Sequence, residues 1–162
     1  STMDIVDEYT ALVRSYRLQL EEYLEFQRLA QETVTALQDG ITTAELQEYF
    51  QRQSQQLKRI TNLEGKTQTL KSTIIRKLDL NEFTLSQLEL VRVADVEDLR
   101  EILAELVTVL EGFDAIQRQI QELLEGYLTA NQIKSSLSQP ATVVQNAYRS
   151  QKTTSKKIDH KR

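Results

Sequence analysis

The sequence predicts an all-α protein, an elongated antiparallel helical hairpin or bundle of three long helices with short connecting helices. Three observations predict it. Apolar residues recur at alternating steps of four and three over three long stretches, the spacing of one helix face. Glycine (4) and proline (1) are too scarce in 162 residues for a turn-rich β fold or a wound α/β fold. The stretches are parted by short segments rich in helix-stop and helix-start residues.

The first helix is expected from about Asp4 to Gln38. Its seam is Ile5, Tyr9, Leu12, Tyr16, Gln19, Tyr23, Phe26, Ala30, Thr33 and Leu37. Asp4, Asp7 and Glu8 stand in the first turn, where carboxylates suit the helix dipole. The four aromatics at this spacing read as core rather than as a binding stripe. Asp39-Gly40 ends the helix, with Gly40 suited to a left-handed stop.

Thr42 or Thr43 is expected to cap the second helix, with Glu45 placed to complete a capping box. Leu46, Tyr49, Phe50, Leu57, Ile60, Leu63, Leu70, Ile74 and Leu78 are its apolar positions. Gln51 to Gln56 is almost wholly polar, so the weakest packing is expected there. Gly65 inside the pattern predicts a kink or a close helix approach. Asp79 to Phe83 is a break, after which Thr84 caps a short helix through Leu85, Leu88 and Val91.

The third long stretch, Asp95 to Leu137, carries the strongest pattern. Leu99, Leu103, Leu106, Leu110, Phe113, Gln117, Ile120, Leu124, Tyr127 and Asn131 form its seam. Ile102, Val109, Ile116 and Leu123 widen the seam into a core-facing stripe. Glu101, Glu105, Glu111, Arg118, Glu122 and Glu125 occupy the opposite face. At about 1.5 Å per residue such a helix spans roughly 60 Å and needs the rest of the chain to cover its stripe. Asp95 is the expected cap. The first helix and this one are expected to be the main packing partners. Ser138-Gln139-Pro140 is a second break, and Val143, Val144 and Ala147 mark one more short helix. The expected division is residues 1–139 as the helical bundle, and 140–162 as a short helix with a basic flexible tail.

Composition narrows function by exclusion. No apolar run approaches the roughly 18 residues that cross a bilayer, so membrane insertion is not expected. Without cysteine there are no disulfides and no thiolate metal site, a usage compatible with the cytoplasm. The single histidine, His160, removes Ser-His and Cys-His nucleophile pairs and the usual zinc ligand sets. Gly65-Lys66-Thr67 imitates the end of a phosphate loop. The earlier glycine of that pattern is Ile60 here, so Lys66 reads as a solvent-facing residue. Glu21, Glu22 and Glu25 read as solvated rather than paired for acid–base chemistry. The expectation is a protein that is not an enzyme, with no cofactor, no metal and no small-molecule substrate.

Net charge is −4, yet residues 149–162 alone carry +5, which leaves −9 for the remainder. An acidic body with a short basic tail, and no aromatics beyond Tyr148 among its cations, argues against nucleic-acid binding.

The run Ile120-Gln121-Glu122-Leu123-Leu124-Glu125-Gly126-Tyr127-Leu128, followed by a short helical extension and a tail with Tyr148, resembles the FlgN family of flagellar export chaperones. Leu24 to Leu37, a glycine break, then Leu46 to Glu64 is similar to the family's opening hairpin. Thr84-Leu85-x-x-Leu88 is similar to its short third element. The glycine that follows the family's tail tyrosine is absent, since Arg149-Ser150-Gln151-Lys152 stands there. The resemblance implies a cytoplasmic, non-enzymatic chaperone of flagellar type III export. It would hold the C-terminal helices of hook–filament junction proteins before secretion, with Tyr148 docking on the export gate. The residues themselves place the best client-binding candidates at Leu128, Ile133, Leu137, Val143 and Val144. Those five either seat a client helix or pack on the bundle itself. The other open reading is a structural coiled-coil or adaptor protein that self-associates or scaffolds a partner.

Overall fold

The computed structural model describes residues 5–90 and 96–131. They form α1 (Val6–Asp39), α2 (Thr43–Leu78), α3 (Leu85–Leu90) and α4 (Glu97–Ala130), with no strand among the described residues. The fold is therefore the expected all-α bundle of three long helices.

The direction of each helix follows from cross-helix contacts. Ser15 Oγ lies 2.6 Å from Thr67 Oγ1, and Lys77 Nζ lies 2.5 Å from Glu8 Oε1. Residue numbers thus fall along α2 as they rise along α1, and the two are antiparallel. Phe26 stacks on Phe113 with ring centroids 4.9 Å apart, while Thr43, just beyond α1, meets Tyr127. So α4 turns back again and runs in the same direction as α1. The bundle is up-down-up, with α1 packed along both α2 and α4. The expectation that α1 and α4 are the main pair is thus half of the arrangement. A stripe wider than one coiled-coil seam lets α1 serve two neighbours.

All ten predicted seam residues of α1 are buried, from Ile5 to Leu37. In α4 the first eight seam residues, Leu99 to Leu124, are buried, as are Ile102 and Ile116. The six predicted outer residues of α4 are all exposed.

The helix ends use local chemistry. Thr42 caps α2 by accepting the Glu45 N–H at 3.2 Å, and Thr84 caps α3 by accepting the Gln87 N–H at 3.1 Å. Gly40 takes a left-handed φ of 83°, and Asp79 a φ of 53°. Asp79 stops α2 with its N–H turned back toward the carbonyls of Arg76 and Ile75. The cap of α4 differs from expectation. Val96 holds that position and makes no side-chain bond, and Asp95 lies outside the described residues. Glu97 and Asp98 in the first turn supply the negative charge the dipole favours. Arg100 joins Glu89 of α3 and Glu97 of α4. At the far end Asn131 closes α4, its backbone N–H and its side chain both donating to the Tyr127 carbonyl, at 3.1 and 2.8 Å. The sequence pattern carried this helix on to Leu137, and residues 132–137 lie outside the described residues.

One expectation for α2 is corrected. The helix runs unbroken through Gly65, and the space beside that glycine is open, so it admits no close neighbour there. A glycine weakens a helix by only about 1 kcal/mol, less than packing on both sides restores. The polar run Gln51 to Gln56, where the weakest packing is expected, mixes exposed and buried positions. Gln53 and Gln56 are 1% and 0% exposed. A rigid helix keeps its phase, so the face that buries Phe50 and Leu57 buries the glutamines between them.

Candidate functional site

The predicted client-binding residues lie at and beyond the distal end of α4. Leu128 is half-buried and packs on the core, together with Leu123 and Tyr127. Phe113 before them and Leu124 among them are covered, while Thr129 and Ala130 after them are exposed. The core stripe of α4 therefore ends in a graded, partly open apolar patch. Tyr127 is tied to the start of α2 by a 3.1 Å contact between its hydroxyl and Thr43 Oγ1. Ile133, Leu137, Val143, Val144 and Tyr148 lie outside the described residues. The patch offers apolar area and one aromatic edge, the surface an amphipathic helix uses.

The second feature is the inner face of α2, which the apolar count along that helix passes over. Stepping four and three from Leu46 gives Phe50, Gln53, Leu57, Ile60, Glu64, Thr67, Lys71, Ile74 and Leu78. Four of those ten are polar, and three of the four are buried. The same stepping that defined the other two seams would have found them. It was the insistence on apolar residues that hid them.

These polar groups differ in how they are satisfied. Thr67 Oγ1 receives the Gln19 amide at 2.6 Å, contacts Ser15 Oγ and donates to the Leu63 carbonyl at 2.9 Å. Glu64 accepts from the Tyr23 hydroxyl at 3.4 Å. Burial, and then the charge of Glu64, push the Tyr16 hydroxyl well above its ordinary pKa. Lys71 has its ammonium 5.5 Å from the centre of the Phe83 ring. Burial pulls its pKa down from 10.5. Gln53 Nε2 and both amide atoms of Gln56 have no hydrogen-bond partner among the described residues. The contact of Tyr23 with Glu64 sets the register, so Gln53 and Gln56 lie level with Ala30 and Thr33 of α1. Gln117, one turn past Phe113, reaches the same level on α4.

A shallow depression of about 560 Å³ runs beside Gly65, lined by Thr61, Asn62, Lys66, Thr69 and Leu70. All its lining residues stand on one helix, so it is an open surface strip and not a cleft between elements. Lys66 is exposed there, as the sequence reading has it. Among the described residues no cluster of His, Cys, Asp and Glu could hold a metal ion, and no helix is long and apolar enough to cross a membrane. Comparison with family models, with characterised proteins and with solved structures finds no match to this chain.

Proposed function

We propose that this protein is a helix-binding chaperone of flagellar type III export, which holds the C-terminal helices of hook–filament junction proteins until secretion. One observation supports the reading above others: the apolar stripe of α4 runs past the well-covered core and ends half-open at Leu123, Tyr127 and Leu128. An amphipathic helix laid on that end would complete the burial that α1 and α2 leave unfinished. The family resemblance of the same segment supplies the identity of the client, and assigns Tyr148 to the export gate and the protein to the cytoplasm.

Size-exclusion chromatography with each junction protein tests this. A 1:1 complex is expected, weakened at least tenfold by Leu128→Asp or Leu137→Asp. Failure of the intact protein to bind either junction protein would end the reading.

A second reading is a self-associating adaptor. It draws on exposed Leu18 and Leu24 on the outer face of α1, at 39% and 45% exposure. Sedimentation separates the two, since an adaptor of this kind gains mass with concentration and a chaperone stays monomeric.

A further inference from the structure

The two sides of α1 are built from different chemistry. Towards α4 the buried side chains are apolar apart from Gln117, with Phe26 on Phe113 at the centre and Leu99, Leu103, Leu106 and Leu110 along the seam. Towards α2, Ser15 and Gln19 meet Thr67, and Tyr23 meets Glu64. Among the buried polar side chains of α2, Thr67 is bonded. Gln53 and Gln56 keep three amide atoms without a partner among the described residues, and Lys71 has the face of Phe83. Water would serve those groups if α2 were detached, whereas docking strips it from them. The same groups thus hold α2 less firmly than its length implies. Both ends of α2 are bounded by residues in left-handed conformation, Gly40 and Asp79, with short connections beyond them. A stiff rod of 36 residues between two turns can move as one body.

We propose that α2 is a displaceable arm, and that the face of α1 beneath it is a seat for a foreign amphipathic helix. The partner it fits has an unbroken apolar stripe where α2 carries Gln53, Gln56 and Lys71, and a small hydroxyl where α2 carries Thr67. Such a helix keeps the bonds to Ser15 and Gln19 and leaves no amide without a partner, so it avoids the cost that docking Gln53 and Gln56 imposes on α2. The inference rests on the helix-binding reading above. It moves the seat from the end of α4 to the middle of the bundle.

The test uses the full chain with Ser15→Cys and Thr67→Cys. The two oxygens are 2.6 Å apart, close to the ~2.05 Å of a sulfur–sulfur bond, and the chain has no other cysteine. The probe is a fluorescein-labelled peptide of residues 43–78 carrying Gln53→Leu, Gln56→Leu and Lys71→Leu. The reduced protein is expected to bind it at least tenfold more tightly than the unsubstituted peptide, and oxidation to abolish that binding. Hydrogen exchange is expected to be faster in α2 than in α4 when reduced, and slowed in α2 when oxidised. Equal peptide binding by the two redox forms would overturn the proposal. So would α2 amides as protected as those of α4 together with no peptide binding by the reduced chain. Junction-protein helices bound equally by both redox forms would discard this seat while keeping the chaperone. Redox-gated binding of the peptide without any junction-protein binding would keep the seat and discard that client.

Discussion

Replacing Gln56 with methionine should stabilise this protein, although Gln56 is among its most buried residues. The side chain is 0% exposed, and neither its nitrogen nor its oxygen has a hydrogen-bond partner among the described residues. Leaving a buried polar group unsatisfied costs about 1–3 kcal/mol, and the two atoms share one amide, so roughly 2 kcal/mol is at stake. Methionine has nearly the same length and volume, and volume-conserving swaps strain a core by less than about 1.5 kcal/mol. The expected gain is about 1–2 kcal/mol. For a chain of this size that raises the melting temperature by roughly 2–8 °C. Gln19→Met is the matched control. Gln19 is also buried, but its amide donates to Thr67 at 2.6 Å, so its loss should destabilise by about 1 kcal/mol. Urea unfolding followed by circular dichroism reads both variants. One substitution at two buried glutamines should move the midpoint in opposite directions. If Gln56→Met lowers the midpoint as Gln19→Met does, the Gln56 amide is well bonded in solution, and the picture of α2 as a weakly held helix is wrong.

The remaining predictions concern the other contacts. Phe113→Ala opens the stack on Phe26 at the centre of the α1–α4 seam and should cost about 3–5 kcal/mol in the same urea assay. Thr42→Ala removes the cap of α2 and should cost about 1 kcal/mol, whereas Thr42→Ser should be near neutral. The pH dependence should have two limbs. Burial holds Lys71 below its ordinary 10.5, so the unfolded chain keeps that proton more firmly, and stability rises as pH climbs towards 10.5. Lys71→Met should flatten this limb. Burial and Glu64 hold the Tyr16 pKa above its ordinary 10.0, so above that pH the unfolded chain ionises first and stability falls. Tyr16→Phe should flatten the falling limb, with urea midpoints read from about pH 8 to 11.

The residues made some of this legible and hid the rest for identifiable reasons. The seams of α1 and α4 could be read residue by residue, because a rigid helix of fixed pitch keeps one face inward over its whole length. Thr42 and Thr84 could be placed because a hydroxyl just ahead of a helix has one favourable use. The α4 cap could not, since Asp95, Val96 and Glu97 compete within one turn and the dipole is served by acids at any of several positions. Partner choice was the largest gap. Periodicity says that a stripe is covered, but not by which helix, and α1 turned out to serve two. The candidate client site was only partly accessible to structure, with Leu128 seated half-buried at the end of α4.

The buried polar face of α2 carries the more general point. Gln53 and Thr67 sit at the same seam phase as Leu46, Ile60 and Ile74, and Lys71 at that of Phe50 and Leu57, so geometry alone decides that they go inside. Chemistry then decides what they do there. At Thr67 the neighbours Ser15 and Gln19 complete a bonded layer, which fixes the register of α2 on α1. At Gln53 and Gln56 the level of Ala30 and Thr33 supplies no partner, and the Thr33 hydroxyl donates to the Leu29 carbonyl of its own helix at 2.8 Å. A bonded polar layer selects one alignment and an unbonded one weakens it, and α2 carries both, about three turns apart. A bundle that needed only to be stable would have leucine at Gln53 and Gln56, as α4 has at Leu103, Leu106 and Leu110. Thr67 keeps α2 aligned while the glutamines leave it loosely held, which is the condition a helix must meet if another is to take its place.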